Sequence, residues 1–377
     1  MEKRQFVIND MLLFEEFCNQ RCDYCGGFYP TEYRFRREGD QLIMPPSWEE
    51  VRVANSVLRS NLSSPPTIPQ LFDVTRRALE AGRRFFEYPI LKLSGGEVFI
   101  VRETMDFIEE LSTDFDAIQV LTNGTYLTEP VVDRIARLGN VYMQISLDGS
   151  SLATNLARNK NPRVLGRILD GLDLLQKRQV PVEINCVLTR HNTAEFASFV
   201  DYLSQYDSLV VFPRPVRGEP ARTLFPDRNQ IEAFSEQVDS MDGGVLPPRP
   251  YMDRLIYILL NRRRAWDCYI PFFVVGTDMY GNLSMCTLCS NSSRLVGMLE
   301  VQSDPFVDSL GQNTYYDPNS KYACCPSGCI VQYEMFNLYV DGEVDDRDLL
   351  HVPTFRMRGV LDRTREIKNR IKESKGK

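Results

Sequence analysis

Short apolar runs alternate with amphipathic segments through the first 215 residues of the chain. The apolar runs predict buried β-strands, and segments whose apolar residues recur three or four positions apart predict helices. Strands are predicted at 6–16, 89–93, 117–121, 141–147, 181–188 and 208–214. Helices are predicted between them, at 69–84, 102–113, 128–138, 162–178 and 193–206. These six strand–helix steps predict an α/β fold, in which helices cover a parallel sheet.

The carboxyl ends of the predicted strands carry glycine and polar residues. Functional residues of parallel α/β folds lie at this edge of the sheet. The strand ends carry the loop 18–25, Gly95-Gly96-Glu97, Asn123-Gly124, Ser146, Asp148 and Arg214. We therefore expect a functional site where these strand ends meet.

Four other stretches depart from this alternation. Residues 29–68 are rich in proline and predict an irregular insertion with a short helix near 47–60, which is either a lid beside the site or a solvated excursion. Residues 221–264 predict a helical linker, with helices at 226–241 and 249–264. Beyond it we predict a β-hairpin whose strands lie at 272–275 and 283–285. A basic amphipathic helix at about 355–375 is expected to be a solvated terminal helix.

Composition narrows the class of protein. Of 377 residues, 43% are hydrophobic and 25% are charged, and the formal net charge is −7. These values are ordinary for a globular protein and provide no basic field for nucleic acid or anionic membranes. The sequence has no apolar run long enough to span a bilayer and no signal-peptide pattern, so a cytoplasmic location is expected. Ten cysteines in that compartment favour metal ligands or reactive thiols, and two histidines leave little for a histidine-based site.

Cys18, Cys22 and Cys25 follow the first predicted strand with the spacing CxxxCxxC. Three thiolates on one tight loop can bind a [4Fe–4S] cluster and leave one iron without a protein ligand. A structural zinc site normally has four ligands, and disulfides need an even number of cysteines. Three unrelated buried cysteines are the alternative. The metal-cluster hypothesis is favoured because neighbouring strand ends supply the other parts that such a cluster needs.

This motif, with Tyr24 before its last cysteine and Gly95-Gly96-Glu97 at the next strand end, resembles the radical S-adenosylmethionine (radical SAM) superfamily. The resemblance covers about residues 5–215 and implies a partial (β/α)6 TIM-like barrel, which we assign to residues 1–220. In that family the open iron binds S-adenosylmethionine (SAM). One electron from the reduced cluster then cleaves SAM to methionine and a 5′-deoxyadenosyl radical, which abstracts a hydrogen atom from the substrate.

The resemblance also implies which residues hold the two charged groups of SAM. Gly95 and Gly96 let the backbone approach closely and would receive the amino group together with Glu97. Arg158 would pair with the carboxylate, a task that suits the planar guanidinium.

Three further residues are assigned to the nucleoside of SAM by the same resemblance. Ser146 would hydrogen-bond the ribose or the carboxylate, Asn185 would face the ribose, and Tyr24 would pack against the adenine. Taken singly, Ser146 and Asn185 are also consistent with simple hydrogen bonding at strand ends.

The C-terminal third contains six more cysteines: Cys268, Cys286, Cys289, Cys324, Cys325 and Cys329. Cys268 and Cys286 bracket Gly281 as C-x12-G-x4-C, which resembles the SPASM/twitch extension. The resemblance implies a small α+β cysteine-rich domain, assigned to residues 265–350, before a C-terminal helix at 351–377. The CxxCx5C run of a full two-cluster SPASM domain is missing, which favours one auxiliary [4Fe–4S] cluster.

The expected ligands of that cluster are Cys268, Cys286, Cys329 and either Cys325 or Cys324. Two auxiliary clusters remain an alternative if Cys289 and Cys324 are both recruited, and a zinc ribbon is another alternative. The spare cysteines, Cys289 and Cys324, are candidate hydrogen-atom donors, as in the epimerases of the family. Cys186 lies on a strand and is expected to be a buried apolar residue.

The resemblance implies an enzyme whose substrate is left open. We expect oxidative modification or cross-linking of a ribosomally made peptide, with the auxiliary cluster accepting an electron. The alternative is a dehydrogenase or epimerase of a sugar, an aminocyclitol or a natural-product intermediate. An external one-electron reductant of the flavodoxin or ferredoxin type is an expected partner. Because only 17 residues precede Cys18, a peptide substrate is expected to need a separate peptide-recognition protein or to dock directly. Nucleic acid is not an expected partner, and Arg262-Arg263-Arg264 is expected to be a solvated helix end.

Overall fold

The structure is a computed structural model. It describes residues 3–13, 18–25, 36–38, 41–43, 67–217, 220–241, 244–278, 282–284, 296–297 and 330–375.

A mixed nine-stranded sheet forms the centre of the described part of the chain. The strands, in chain order, are β1 (Arg4–Gln5), β2 (Ile8–Leu13), β3 (Arg36–Glu38), β4 (Gln41–Ile43), β5 (Phe86–Glu87), β6 (Ile90–Gly95), β7 (Ala117–Thr122), β8 (Val141–Ser146), β9 (Val182–Leu188), β10 (Leu209–Pro215), β11 (Val274–Asp278), β12 (Asn282–Ser284) and β13 (Val296–Gly297). The order in the large sheet is β10-β9-β8-β7-β6-β2-β11-β12-β13. Strands β2 and β6–β10 are the six predicted strands, and each pairs in parallel with its neighbour.

Helices occupy the connections between these strands. In chain order they are α1 (Ile68–Gly82), α2 (Thr104–Leu111), α3 (Glu129–Leu138), α4 (Pro162–Lys177), α5 (Phe196–Leu203), α6 (Ala221–Leu224), α7 (Arg228–Ser240), α8 (Arg249–Asn261), α9 (Ile270–Phe273), α10 (Glu334–Asp341), α11 (Asp346–His351), α12 (Pro353–Arg356) and α13 (Val360–Lys375). Local signals set their starts: Thr67 and Gln70 form a capping box at α1, and Asn161 caps α4 ahead of Pro162. The α/β class with a parallel sheet, expected for a radical SAM partial barrel, is confirmed.

One face of the parallel strands carries polar side chains that meet one another. Lys92 Nζ on β6 donates a hydrogen bond of 3.0 Å to Gln144 Oε1 on β8. Gln119 Nε2 on β7 donates one of 2.8 Å to Glu183 Oε2 on β9. Asp10 on β2 lies 3.8 Å from Lys92 Nζ. Because side chains of alternate residues share a face of a strand, these contacts define the inner face of the barrel.

The C-terminal helices close the inner face. Lys92 Nζ donates to the Tyr333 hydroxyl over 3.1 Å, and the Thr354 backbone N–H donates to Glu183 Oε1 over 3.1 Å. Tyr333 and Thr354 are buried, as are the charged side chains they contact. The region after α9 therefore completes the core of the barrel.

The predicted hairpin is present as β11 and β12, which pair antiparallel with Thr277 opposite Leu283. Strand β11 also pairs in parallel with β2, with Gly276 opposite Asp10. The start of the cysteine-rich region thus extends the barrel sheet.

Two expectations for the surface are wrong. In α13 the residues Val360, Thr364, Ile367 and Ile371 are buried, so this helix packs on the core and is not a solvated terminal helix. Its apolar spacing gives it one buried face despite the many charges on the other. The expectation of a solvated helix end at 262–264 is wrong for Arg264, whose side chain is only 4% exposed and forms an ion pair of 3.1 Å with Glu334, whereas Arg262 and Arg263 are exposed.

Of the insertion at 29–68, the structure describes the short antiparallel pair β3–β4 and the start of α1. The helix predicted near 47–60 lies outside the described residues. Among the described residues, no helix is long and apolar enough to cross a membrane.

Candidate active site

The cysteine loop lies directly beyond the carboxyl end of β2. Cys18, Cys22 and Cys25 are reduced cysteines, and the Cys25 N–H donates to the Cys22 carbonyl over 3.0 Å, which makes a tight turn. Burial raises the pKa of Cys22 to about 12, and the neighbouring Cys25 and Cys18 contribute in the same direction. Because a metal cation favours the thiolate, binding a cluster would offset this cost of burial.

Side chains after β7 hold the start of this loop. Asn123 Nδ2 donates to Asn19 Oδ1 over 2.8 Å, and Asn19 Nδ2 donates to Thr125 Oγ1 over 2.8 Å. Asn123 Nδ2 also lies 3.7 Å from Cys18 Sγ. The sequence signalled Asn123 only through its place before Gly124 at a strand end, and it did not indicate the contact with the cysteine loop.

Residues after β8 hold the other end of the loop. The Tyr24 hydroxyl donates a short hydrogen bond to Asp148 Oδ2, and the Asp23 N–H donates to the Ala157 carbonyl over 2.7 Å. Arg158 Nη2 pairs with Asp148 Oδ1 over 3.0 Å, and its guanidinium lies 5.4 Å from the centre of the Tyr24 ring. Asp148 therefore joins the aromatic residue of the motif to the arginine.

Asp148 is a junction of several segments. Its Oδ1 also accepts from the Val187 N–H over 2.8 Å, and its carbonyl accepts from Asn192 Nδ2 over 2.9 Å. Only 2% of Asp148 is exposed, so these contacts replace water around a buried charge. The sequence analysis placed Asp148 at a strand end but assigned it no role.

Gly95 has a conformation that only glycine adopts without strain. Its φ is +141°, and an added Cβ would lie 1.7 Å from the Leu13 carbonyl oxygen of the neighbouring strand β2. The backbone of Gly95 and Gly96 therefore begins close to the end of β2, where the cysteine loop starts.

Glu97 is fully buried, with 0% of the residue exposed. Its carboxylate accepts hydrogen bonds from Thr122 Oγ1 and the Asn123 N–H, both at 2.7 Å, and from the Phe99 N–H at 3.1 Å. Burial nevertheless raises the pKa of Glu97 to about 7. These bonds show Glu97 supporting the loop that carries Asn123. A direct contact of its carboxylate with the amino group of SAM stays a prediction, and Oε2 retains one acceptor position for it.

Ser146 and Asn185 lie opposite each other in the register of β8 and β9. Ser146 is half-buried and Asn185 is buried. Both occupy the inner face near the carboxyl ends of their strands, on the same side as Glu183. The structure brings them together as expected, and their contacts with a nucleoside stay predictions.

The described residues fit the cluster and SAM that the motif implies. Within the described ranges, no three histidine, cysteine or acidic side chains are close enough to hold a single metal ion. A [4Fe–4S] cluster has no such requirement, because it binds each thiolate at a different iron. Arg158 Nε is buried and has no hydrogen-bond partner, which leaves one donor of this guanidinium for an anionic ligand.

The C-terminal cysteines are described only in part. Cys268 is half-buried and lies just before α9. The other five, Cys286, Cys289, Cys324, Cys325 and Cys329, lie outside the described residues. The ligands of an auxiliary cluster and the hydrogen-donor role of Cys289 or Cys324 therefore stay predictions. Cys186 is buried on β9, as expected.

Comparison with known families agrees with the barrel and the cysteine loop. The profile of the Radical SAM superfamily matches residues 12–203, which is slightly more than half of the chain. This match includes the cysteine loop and four of the six strands, β6 to β9, from the first residue to the last, together with the end of β2. The chain belongs to the radical SAM superfamily and is therefore an enzyme of that class.

One curated relative matches part of the chain. The AdoMet-dependent heme synthase of Methanosarcina barkeri is 34% identical over 143 residues, which cover 37% of this chain and 41% of that protein. The match therefore spans less than half of this curated relative.

Two solved structures share the fold at low sequence identity. The structure of anSMEcpe with bound AdoMet has a TM-score of 0.53 and 14% identity, and the likeness covers 93% of this chain and 99% of that one. The Streptococcus suis SuiB structure bound to precursor peptide SuiA has a TM-score of 0.50 and 14% identity, covering 80% of this chain and 64% of that one.

Proposed function

We propose that this radical SAM enzyme oxidatively modifies or cross-links a ribosomally made peptide. The observation that carries the proposal of SAM chemistry is the position of the cysteine loop. Asn123 and Asp148 hold it from two sides, at the edge of the sheet where the strand ends of a partial barrel meet. Peptide as the substrate class is supported by the fold likeness to SuiB, which was crystallised with its precursor peptide.

The residues of this site have separate tasks in the proposed reaction. Cys18, Cys22 and Cys25 bind the cluster, which when reduced supplies the electron that cleaves SAM. Arg158 binds the carboxylate of SAM through its unpaired Nε while Asp148 holds Nη2. The buried walls of the barrel exclude water from the reacting groups.

Five further residues position the rest of SAM in this proposal. The backbone of Gly95 and Gly96, with Glu97, receives the amino group, and Ser146 and Asn185 face the ribose. Tyr24 packs against the adenine while its hydroxyl stays on Asp148.

The C-terminal region would receive the second electron. In our proposal Cys268, Cys286, Cys329 and either Cys325 or Cys324 hold one auxiliary [4Fe–4S] cluster within residues 265–350. When bound, SAM would supply the acceptor for a substrate hydrogen atom, and the cluster held by these cysteines would supply the acceptor for the second electron, with the proton released to solvent. An external flavodoxin or ferredoxin would reduce the first cluster by one electron. A separate recognition protein would bind the peptide and bring it to the enzyme.

The proposed domain division follows the same plan. The barrel comprises residues 1–220, the helical linker 221–264, the auxiliary-cluster domain 265–350 and the C-terminal helix 351–377. Strand β11 lies at the start of the auxiliary-cluster domain and pairs with β2, which carries the cysteine loop at its end. This pairing supports a short path between the two clusters.

A second candidate function is a dehydrogenase or epimerase of a small molecule, such as a sugar or a natural-product intermediate. It is favoured by the sequence likeness to the heme synthase, whose 34% identity exceeds that of the structural neighbours. In an epimerase Cys289 or Cys324 would return a hydrogen atom to the substrate.

Deuterium transfer distinguishes these candidates. The reduced, anaerobically reconstituted enzyme is incubated with SAM and either a fully deuterated candidate peptide or a deuterated small molecule. The proposal predicts deuterium in 5′-deoxyadenosine only with the peptide. Deuterium transfer only from the small molecule would contradict the peptide assignment.

Iron analysis should give about eight irons per chain for one auxiliary cluster, whereas about four irons with bound zinc would contradict that cluster.

A further inference from the structure

Arg214 lies on the inner face of the barrel, at the carboxyl end of β10. It pairs in register with Val187, two residues beyond the pair of Phe212 with Asn185, so it shares the face that carries Asn185 and Glu183. Its charge acts across the barrel interior. Burial is the main cause of the lowered pKa of Lys92, and the positive charge of Arg214 contributes to it.

The charged surroundings of Arg214 are those of the cysteine loop. Arg217 and Arg158 repel its charge, while Tyr24 and Asp148 favour it. Burial is the largest effect, and the pKa of Arg214 falls to about 10. The guanidinium therefore remains positively charged at neutral pH, at the mouth of the barrel and beside the proposed SAM site.

Within the described part of the chain, the half-buried guanidinium of Arg214 lacks the ion-pair partner that the buried Arg158 and Arg254 each have. Arg158 pairs with Asp148, and Arg254 pairs with Glu334 over 2.7 Å. Among the residues that the structure describes, the guanidinium of Arg214 has no hydrogen bond or ion pair, and only longer-range charge effects act on it. A half-buried guanidinium without a counter-ion is unfavourable, and a bidentate carboxylate relieves that cost.

We propose that Arg214 binds a carboxylate of the substrate, an acidic side chain or the C-terminus of the peptide. This inference rests on the proposed function, in which the substrate is a peptide. SAM has one carboxylate, and Arg158 offers a buried, unpaired Nε for it. The guanidinium of Arg214, also at the barrel mouth, is therefore available to bind a different anion. Arg214 would orient the substrate by holding that group beside the nucleoside of SAM.

Calorimetric titration of the anaerobic holoenzyme tests this assignment, with glutarate and inorganic phosphate as the two probes. Each probe is titrated with and without saturating SAM. The variants are Arg214→Gln, which removes the charge, and Arg214→Lys, which keeps the charge but loses the planar fork. Arg228→Gln is the matched control, because 83% of that side chain is exposed and its partner is Glu232 on the same helix. Iron content and SAM affinity are measured for every variant, so that a misfolded protein is recognised.

The proposal predicts that glutarate binds the wild type more tightly than phosphate does, with or without SAM. Arg214→Gln should weaken glutarate binding by about tenfold or more, Arg214→Lys by less, and Arg228→Gln not at all. Equal glutarate affinity in Arg214→Gln and the wild type, or no glutarate binding by the wild type, would overturn the proposal. Tighter binding of phosphate would overturn the carboxylate assignment. Competition between SAM and glutarate would overturn the substrate assignment, because it would indicate that Arg214 binds SAM. Failure of the proposed SAM chemistry is recognised separately, as absence of 5′-deoxyadenosine release by the wild type.

Discussion

At the scale of single residues, Asp148 links most of the groups that surround the cysteine loop. Its carboxylate receives the Tyr24 hydroxyl, the Arg158 guanidinium and the Val187 N–H. A buried carboxylate that accepts from three donors fixes the positions of all three. Asp148 thus orients Arg158, the proposed partner of SAM, and anchors Tyr24 within the cluster motif.

Asp148→Asn should therefore impair SAM cleavage. The substitution keeps the shape of the side chain but leaves Arg158 buried without a counter-ion. We expect 5′-deoxyadenosine release to fall by about tenfold or more, measured at matched iron content. Tyr24→Phe is the control, since it removes one hydrogen bond and keeps the ring, and its effect should be smaller. An Asp148→Asn enzyme with wild-type release would contradict the role of Asp148.

The buried carboxyl of Glu97 gives stability a dependence on pH. Its pKa is raised from 4.5 to about 7 by burial, so the folded chain keeps a proton that the unfolded chain releases near pH 4.5. The folded state binds more protons between these values, and its stability falls as pH rises through this window. The difference in unfolding free energy between wild type and Glu97→Gln should drop by about 3 kcal/mol from pH 4.5 to 7. The unfolding free energies of both proteins are measured by urea denaturation at each pH. A difference between them that stays constant across this range would rule out the raised pKa of Glu97.

The residues of the motif could be predicted from sequence, but their supports could not. Cys18, Cys22 and Cys25 are close in sequence, and Gly95-Gly96-Glu97 has a distinctive composition at a strand end. The contact between Tyr24 and Asp148 joins residues 124 positions apart, and that between Asn123 and Cys18 joins residues 105 positions apart. A single sequence does not show which distant polar residues meet, because that depends on sheet register and on the loops.

At the scale of secondary structure, Gly95 on β6 lies directly against the backbone of β2 at Leu13. Gly95→Ala would place a methyl group against the Leu13 carbonyl of β2 and force a strained φ. We expect it to destabilise the fold by more than about 4 kcal/mol. Gly166→Ala in α4 is the matched control, because nothing lies within 4 Å of the added Cβ. It should stabilise the protein by up to about 1 kcal/mol. Equal melting temperatures for the two variants would contradict the close approach.

Helices α8 and α10 are joined by a buried ion-pair network around Glu334. This carboxylate is 0% exposed and receives Arg254, Arg264 and the Trp266 indole. Glu334→Gln leaves two buried arginines short of a counter-charge and should cost about 3 kcal/mol or more. Glu343→Gln is the control, since that side chain also pairs with Arg254 but is 46% exposed, and it should cost less than about 1 kcal/mol. Hydrogen exchange in α10 that is equal in both variants would contradict this network.

The positions of the elements were predictable because each has a clear apolar period. The six parallel strands and the helices between them agree with the predictions within a few residues. Docking between elements was not predictable in the same way. The pairing of β11 with β2, the burial of α13 and the ion pair of Arg264 depend on residues that are far apart in sequence.

At the scale of the whole molecule, the C-terminal region completes the barrel. Tyr333 and Thr354 contact the inner face, and β11 lies beside the strand that carries the cysteine loop. Strand β11 therefore places the described start of the C-terminal region beside the strand that leads to the cysteine loop. In the proposed reaction the cysteine loop would hold the cluster that cleaves SAM, and the C-terminal region would hold the cluster that receives the second electron.

Release of 5′-deoxyadenosine tests the central claim most directly. The anaerobically reconstituted protein is reduced in the presence of SAM, and the product is quantified for the wild type and for a variant with Cys18, Cys22 and Cys25 all changed to Ala. Cys186→Ala is the control, because this cysteine is buried on β9 and lies outside the CxxxCxxC motif. The account predicts release by the wild type and the control and none by the triple variant. Continued release by the triple variant would contradict the assignment of the cysteine loop.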